Sequence, residues 1–390
     1  MSFYIGAIIL EVNEMATLHD ELTINGMRVR NRIVLPPLTT NNGSPDGLVM
    51  DGIIQFYEER AKDVGLAIVE AAAVRSDGRI VPGSLGLWEE GQVAGMTRLA
   101  DAIKKSGAAA VLQINHAGAR GFPSGGEMQG ASPSGYRFRP DVMPFPMTLN
   151  QIDIMVSDFI AAAGRAAKAG FDGVEIHGAH LYLISQFLSP LTNQRDDRYG
   201  GDVQGRATFA LDVVRGARKE LGGNYPILFR INAVEHVEGG QNLADALEIS
   251  RILSQEGVDA LDVSLVSQGA WQEMDNEKFL LPASAFSKEQ PPGANIPFVA
   301  AVKEATGLPV IGVGKLGNTM AAKSVEGSLM DLVAIGRQMI ADPDSAGKIL
   351  AGRESEIIPC KECMACFASL RKGPVFCKVN RNLPWTSNKA

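Results

Sequence analysis

A repeated pattern of glycine followed by a short apolar segment constrains the fold of this chain more than any other feature. It occurs in KKSGAAAVLQINH, AKAGFDGVEIHG, SQEGVDALDVSL and VEGSLMDLVAIGR. A glycine at the end of a helix-like stretch, followed by an apolar run, is typical of a helix that leads into a buried parallel strand. The pattern therefore predicts helices that alternate with parallel strands.

Eight such strands can be marked along the chain. With helices between them they predict an α/β fold, a (β/α)8 TIM barrel, which is a common fold for chains of about this length. An open doubly wound sheet is the alternative, but no predicted strand leads into a GxGxxG turn. The predicted strands are Ile33–Leu38, Leu66–Ala73, Ala109–Asn115, Asp172–Ile176, Pro226–Ile231, Asp259–Leu265, Pro309–Val313 and Asp331–Ile335.

A hairpin signal precedes the first of these strands. In LTINGMRVR the pair Asn25-Gly26 separates two short runs, and Asn-Gly between such runs strongly favours a two-residue β-turn. We expect this N-terminal β-hairpin to close the floor of the barrel. The expected domains are an N-terminal extension at residues 1–17, a (β/α)8 barrel at residues 18–355, and a cysteine-containing segment at residues 356–390 that packs on the barrel.

Composition limits the partners of the protein. The chain has 37 basic and 44 acidic residues, a net charge of −7, and no basic cluster. This balance argues against nucleic acid and anionic membranes as partners. The apolar run Phe3 to Leu10 is too short to cross a bilayer. We therefore expect a cytoplasmic protein that acts on a small-molecule substrate. The composition leaves open whether the chain forms a homo-oligomer.

Polar residues accumulate where the predicted strands end. In a (β/α)8 barrel the active site lies at the C-terminal ends of the strands, so these positions are the candidates for chemistry. Three of the five histidines of the chain lie there. The polar positions are Thr39, Glu70, Gln113, Asn115, His116, His177, His180, Arg230 and Asn232.

The segment IHGAHLYLISQFLSPLTNQRDDRYGG, from Ile176 to Gly201, carries a specific motif. It resembles the old yellow enzyme family of flavin-dependent ene-reductases, which have a His, then His or Asn three residues on, then Tyr two further. The SPLTNQRDDRYGG part matches as well. The resemblance implies a TIM barrel with FMN, NAD(P)H as electron donor, and reduction of the C=C bond of activated alkenes such as enones, enals, nitroalkenes or enoates.

The same resemblance implies catalytic roles. His177 and His180 would donate hydrogen bonds to the substrate oxygen on which negative charge develops, and Tyr182 would protonate the α-carbon. The segments LPPLTT, LQINHAGAR and LFRIN resemble family motifs that contact the flavin. In LQINHAGAR, Ala119 is an extra residue before Arg120 relative to the family motif, so the role of Arg120 stays open. The implied flavin contacts are Pro37, Leu38, Thr39, Ala71, Gln113 and Arg230.

The loops after the seventh and eighth strands predict a phosphate site. IGVGKLGN contains Gly314 and Lys315, and AIGRQM contains Gly336 and Arg337. TIM barrels often bind phosphate between these loops, where glycines expose backbone N–H groups and arginine can pair with the anion. Together with the flavin motif, they predict that the FMN phosphate binds here.

Cys360, Cys363, Cys366 and Cys377 are the four cysteines of the chain. Their spacing is typical of cysteines that bind a metal or an iron–sulfur cluster. The alternatives are a [4Fe–4S] cluster, a zinc ion, or four reduced thiols that bind no metal. The segment resembles the dienoyl-CoA reductase and trimethylamine dehydrogenase branch of the family. We expect the C-terminal nucleotide-binding domain of that branch to be missing, since 13 residues follow Cys377.

Two other functions stay open. The cysteine spacing favours an amine dehydrogenase or N-demethylase on the same flavin barrel, although a flavin linked through cysteine near the first strand is excluded because no cysteine precedes residue 360. A flavin-free lyase or isomerase is the second alternative. The long connections Gly118–Pro146 and Val266–Ile296 are expected to cover the pocket and set specificity.

Overall fold

Eight parallel strands close into a barrel, which confirms the predicted fold. The computed structural model describes residues 15–122, 128–132, 144–266, 268–274, 277–283, 290–370 and 372–386. Most of the predicted N-terminal extension, residues 1–14, lies outside the described residues, as do parts of both predicted covering loops.

The elements are as follows. The strands are β1 (Leu22–Ile24), β2 (Met27–Val29), β3 (Ile33–Leu35), β4 (Leu66–Ala73), β5 (Ala109–Asn115), β6 (Gln129–Gly130), β7 (Phe145–Pro146), β8 (Gly173–Gly178), β9 (Ile227–Glu235), β10 (Ala260–Val266), β11 (Gln268–Met274), β12 (Glu277–Ala283), β13 (Val310–Val313) and β14 (Leu332–Ala334). The α-helices are α1 (Asp51–Ala61), α2 (Val93–Lys105), α3 (Leu149–Lys168), α4 (Leu183–Leu188), α5 (Val203–Leu221), α6 (Leu243–Gln255), α7 (Ile296–Thr306), α8 (Asn318–Glu326), α9 (Arg337–Ala341), α10 (Ser345–Leu350) and α11 (Ala365–Ser369).

Around the barrel the strands follow their order in the chain: β3, β4, β5, β8, β9, β10, β13 and β14, which pairs with β3. All eight predicted strands are present, with ends shifted by a few residues. The first ends at Leu35 rather than Leu38, because Pro36 and Pro37 have no N–H to donate to a neighbouring strand. Every residue of β4 is buried, as expected for a parallel strand covered on both faces.

Glycines end the helices of the repeated pattern in two ways. Gly107, Gly170 and Gly257 have φ values of 83°, 86° and 104°, in the region where a side chain would be strained. In the fourth repeat the left-handed position is taken by Ser328, with φ 54°, rather than by Gly327. The glycine of each repeat thus lies at the end of a helix, as the sequence pattern predicts.

The N-terminal hairpin closes the floor of the barrel as predicted. β1 and β2 pair antiparallel, and Asn25 and Gly26 form the turn with φ values of 43° and 83°. The buried side chains of Ile24, Met27 and Val29 belong to one apolar cluster with residues that line the lower barrel interior. This cluster makes the lower half of the barrel a packed core.

The C-terminal segment lies against the loop that follows β3. The backbone N–H of Val375 donates to Thr40 O at 2.7 Å, and the Asn41 side chain donates to Gly373 O at 2.7 Å. The Trp385 ring contacts the Phe56 ring at 5.4 Å between centroids. The domain boundaries themselves stay a prediction. In the part of the chain described, no helix is long and apolar enough to cross a membrane.

Gly65, just before β4, provides a test of the barrel packing. Its N–H donates to Ile33 O at 2.9 Å, and an added Cβ would lie 2.0 Å from Asn31 O. Gly65→Ala should therefore lower the free energy of unfolding by about 1–3 kcal/mol, since the clash is with backbone that cannot turn away. Gly223→Ala is the matched control, because an added Cβ there has no atom within 4 Å. Equal urea midpoints for the two variants would contradict this account of β4.

Candidate active site

One cavity of about 1690 Å³ lies at the mouth of the barrel where the strands end. It is lined by all thirteen residues that the sequence assigned to catalysis or FMN binding: Pro37, Leu38, Thr39, Ala71, Gln113, His177, His180, Tyr182, Arg230, Gly314, Lys315, Gly336 and Arg337. These residues come from seven different strand ends, so the fold brings together what the sequence keeps far apart.

The two histidines and the tyrosine form a tight aromatic group. His177 is in β8, and the chain then turns through His180 and Leu181, whose φ values of 62° and 55° are left-handed. This turn reverses the chain so that Tyr182 lies at the start of α4. The ring centroids of His177 lie 5.1 Å from His180 and 5.2 Å from Tyr182, and those of His180 and Tyr182 are 6.4 Å apart.

Both imidazoles are neutral. Burial lowers the pKa of His177 and of His180 well below 6.5, and the nearby Arg230 guanidinium lowers both further. His177 Nδ1 lies 3.4 Å from the backbone N–H of Ala179, which can only donate, so the proton of this ring is on Nε2. A neutral imidazole with one N–H can donate a hydrogen bond to a developing oxyanion without giving up its proton.

Arg120, whose role the sequence left open, belongs to the wall of this site. Its guanidinium carbon lies 5.0 Å from the centre of the Tyr182 ring, and Nη1 donates to the carbonyl oxygen of His180. Arg120 is half-buried, and partial loss of water lowers the pKa of its guanidinium. The contacts hold the turn that carries His180 against the ring of Tyr182.

A group of buried ionisable side chains surrounds the predicted flavin contacts Gln113 and Arg230. Gln113 Nε2 donates to Glu175 Oε1 at 2.7 Å, and Arg230 Nε lies 3.1 Å from Asp262 Oδ2. Burial raises the pKa of Glu175 to about 8, with a further contribution from the negative charge of Asp262. Sequence reasoning missed both carboxylates, although an acidic residue inside the apolar runs GVEIHG and ALDVSL is a signal, because buried carboxylates need partners.

These residues fit a bound flavin. Ala71, Pro37 and Leu38 leave an apolar wall with little side-chain bulk, as a flat ring system requires. Arg230 presents a fixed positive charge to the same space, which suits a ring that gains negative charge on reduction. Gln113, held from below by Glu175, is placed to meet a polar ring edge.

The part of the cavity where the sequence predicts the FMN phosphate lies at the ends of β13 and β14. An added Cβ at Gly336 would lie 3.2 Å from both Leu38 Cδ2 and Pro36 Cγ, so the backbone passes close to the cavity wall. Arg337 Nη1 donates to the sulfur of Met364 at 3.0 Å, and no carboxylate of a described residue pairs with it. Lys315 Nζ lies 2.7 Å from Glu362 Oε2, which partly offsets its charge. Arg337 is therefore the better partner for a phosphate.

The four cysteines line a second, small cavity of about 20 Å³ next to Arg337. All four are free thiols, and Cys377 is buried. Two of them, Cys360 and Cys366, also line the large cavity. No group of three or more His, Cys, Asp or Glu side chains in the described ranges is arranged around a single metal ion.

Four of the nine polar residues predicted at the strand ends do not line the large cavity: Glu70, Asn115, His116 and Asn232. His116 does not line the large cavity, because its Nε2 lies 3.3 Å from Asp77 Oδ1. Glu70 accepts hydrogen bonds from the N–H and hydroxyl of Thr40, and burial raises its pKa to about 7. Ser264, which the sequence analysis missed, lines the cavity from β10. It could have been found by the same rule, since it is a polar residue at a strand end.

The barrel and its mouth define a class, the flavin-dependent oxidoreductases. A model described as the NADH:flavin oxidoreductase / NADH oxidase family matches residues 17–356. The NADH oxidase of Thermoanaerobacter brockii is 37% identical over 375 residues, which cover 93% of this chain and 56% of that protein. The chain thus spans about half the length of this curated relative.

Solved structures agree. 2-Naphthoyl-CoA reductase in complex with 2-naphthoyl-CoA has a TM-score of 0.87 and 27% identity, covering 96% of this chain and 58% of its own. An old yellow enzyme homologue from Zymomonas mobilis shares the fold, with a TM-score of 0.74 and 24% identity over 86% of this chain and 93% of its own.

The chain belongs to the NADH:flavin oxidoreductase / NADH oxidase family. This confirms the resemblance to the old yellow enzymes and the assignment as an oxidoreductase enzyme. It also supports FMN as cofactor with NADH or NADPH as electron donor, and it argues against the flavin-free alternative.

Arg337→Ala should weaken FMN binding by about 10–100-fold, since a charge-assisted bond to the phosphate contributes roughly 1.5–3 kcal/mol. The turnover number at saturating FMN should change little, because the phosphate does not react. Quenching of FMN fluorescence on binding measures the affinity. Arg353→Ala is the control, since Arg353 pairs with Glu356 on the surface. Unchanged FMN affinity of the Arg337 variant would place the phosphate elsewhere.

Proposed function

We propose that this chain is an ene-reductase that uses FMN and NAD(P)H to reduce the C=C bond of activated alkenes. The observation that carries the proposal is the group of His177, His180 and Tyr182 in the cavity that also holds the predicted flavin contacts. The names of two similar proteins, an NADH oxidase and 2-naphthoyl-CoA reductase, are in keeping with a flavin barrel that takes electrons from nicotinamide and reduces conjugated substrates.

When bound, FMN would supply a hydride to the β-carbon of the alkene. The predicted holders are Pro37, Leu38, Thr39, Ala71, Gln113 and Arg230 for the ring system, and Gly314, Lys315, Gly336 and Arg337 for the phosphate. Arg230 keeps its position through the contact with Asp262, so its charge is fixed before the substrate binds. Such preorganisation avoids the cost of reorienting the charge during the reaction.

His177 and His180 would bind the carbonyl or nitro oxygen of the substrate. The two rings are roughly perpendicular, with an interplanar angle of 85°, and both lie at the cavity surface. As hydride adds to the β-carbon, negative charge moves to this oxygen, and two N–H donors stabilise it more than they stabilise the neutral substrate. This preference for the charged form is what raises the rate.

Tyr182 would supply the second hydrogen, as a proton to the α-carbon. A phenol carries an O–H proton that it can give up to a developing carbanion, so it can act as a general acid. Tyr182 is nearly buried, and Arg120 and His177 pack against its ring from two directions. These contacts hold the Tyr182 ring against one wall of the cavity.

Amine oxidation is the second candidate, and the chemistry of the site weighs against it. The neutral imidazoles present N–H donors, which suit an oxygen that gains negative charge. A hydrogen bond from them to an amine nitrogen would hold the lone pair that amine oxidation must release. The four cysteines are the feature in its favour. Incubation with alkylamines and an artificial electron acceptor distinguishes the two activities.

Tyr182→Phe should slow reduction of enones by about 10²–10⁴-fold, the usual contribution of a general acid. Flavin reduction by NAD(P)H should be almost unchanged, because it needs no proton from this residue. Stopped-flow absorbance resolves the two half-reactions. Nitroalkenes provide the internal control, since their nitronate product is stable enough to leave before carbon protonation. Enone reduction by the variant at the parent rate would mean that another group provides the proton.

We further propose that the four cysteines hold a [4Fe–4S] cluster. All four residues line one small cavity, and their CxxCxxC spacing followed by a fourth cysteine is the sequence pattern of cluster ligands. Among the described residues these side chains do not form a ready single-ion site. A [4Fe–4S] cluster is bound by four cysteine thiolates, the number that this segment supplies.

Protein purified without oxygen should contain about four irons per chain and show broad absorbance beneath the flavin bands. Cys377→Ser should lose most of this iron, because Cys377 is the buried member of the set. Lys378→Ala, a change in the neighbouring residue that lines the same small cavity, should retain it. Zinc in place of iron would indicate a structural site, and absence of metal would contradict the cluster.

A further inference from the structure

We infer that Ser264 donates its hydroxyl proton to Nε2 of His180 and thereby makes Nδ1 the nitrogen that donates to the substrate oxygen. Ser264 is thus a positioning residue that selects the tautomer of a catalytic histidine. The inference rests on the proposed function for the role of His180, but the state of the ring can be measured without turnover.

Two neighbouring strands hold His180 at two points. Asn232 in β9 and Ser264 in β10 are paired across the strands. Asn232 Oδ1 accepts from the backbone N–H of His180 at 3.0 Å, and Ser264 Oγ lies 2.8 Å from His180 Nε2. A left-handed turn that places a bulky residue at φ 62° is held only when its surroundings fix it, and these contacts do so.

The backbone clamp is itself supported from behind. Asn232 Nδ2 donates to Glu235 Oε1 at 3.1 Å and to Ser185 Oγ at 3.2 Å. Glu235 Oε2 in turn accepts from the Ser189 hydroxyl at 2.6 Å. Because the N–H of His180 can only donate, the amide of Asn232 must face it with Oδ1. The network therefore fixes the backbone position of His180. Ser264 determines which ring nitrogen of His180 carries the proton.

The protonation state matters because the ring is neutral and has a single N–H. If Nε2 carried the proton and donated to Ser264, Nδ1 would present a lone pair to the cavity and repel the substrate oxygen. If Ser264 donates to Nε2, the proton is on Nδ1. Within the described residues no hydrogen bond reaches Nδ1 of His180, which leaves that nitrogen for the substrate.

The two histidines then donate through different nitrogens. In His177 the backbone of Ala179 occupies Nδ1 and leaves the proton on Nε2. In His180 the serine occupies Nε2 and leaves the proton on Nδ1. A hydroxyl can both donate and accept a hydrogen bond, so Ser264 can donate to Nε2 and still accept a hydrogen bond from another group. The serine meets a requirement that an aliphatic side chain of similar size cannot.

The test is ¹⁵N NMR of the histidine rings in the FMN holoenzyme at pH 7, with His180→Gln used to assign the signals. Five histidines make the spectrum tractable. We expect the wild-type His180 ring to carry its proton on Nδ1, and Ser264→Ala to show a mixture of tautomers. Ser264→Thr, which keeps the hydroxyl, should restore the wild-type state. A wild-type ring protonated on Nε2 would overturn the inference, whether or not the variants fold.

Binding of 4-hydroxybenzaldehyde, whose phenolate mimics the charged substrate oxygen, gives the second measurement. Ser264→Ala should weaken it by about tenfold, the effect of one neutral hydrogen bond, and Ser264→Thr should recover most of the loss. Ser250→Ala, a buried serine of α6 outside the cavity, is the control. If the His180 ring carries its proton on Nδ1 but the protein reduces no alkene, the proposed function is wrong and the role of Ser264 is still supported. Unchanged phenolate binding in Ser264→Ala would contradict that role.

Discussion

Closure of the barrel by pairing of β14 with β3 is the contact on which the rest of the structure depends. Val333 pairs with Ile33 and Ala334 with Val34, so the last strand meets the first. Because all eight strands are parallel, this closure brings their C-terminal ends to one rim. Gly336, which follows β14, then lies against Leu38 after β3, and the proposed phosphate and ring sites become continuous.

The interior changes character along the barrel axis. The lower half is filled with apolar side chains from the strands and the N-terminal hairpin. The upper half holds Glu175, Arg230 and Asp262, together with His177 and His180, the two histidines proposed to bind the substrate oxygen. Loss of water is what gives this layer its properties: it keeps the histidines neutral, raises the pKa of Glu175, and strengthens the field of Arg230 on whatever binds above it.

The C-terminal segment connects the two proposed centres. Cys360 and Cys366 line both the large cavity and the small one, and Arg337 is shared by the two as well. A cluster held by the four cysteines would therefore be next to the phosphate end of the flavin site. The hydrogen bond from Val375 N–H to Thr40 O attaches this segment to the loop that contains the proposed ring contacts.

The sequence by itself predicted the eight strands and the hairpin, because glycine placement and strand periodicity are local properties of the chain. The resemblance of its motifs to a known family supplied most of the thirteen lining residues. The role of Arg120 and the contacts of Glu175, Asp262 and Ser264 were decided by tertiary structure. Each of these four acts on a partner in another strand or loop: Ser264 meets His180 across 84 positions of sequence. Local patterns carry no information on such pairs, because only barrel closure sets which strand ends face each other.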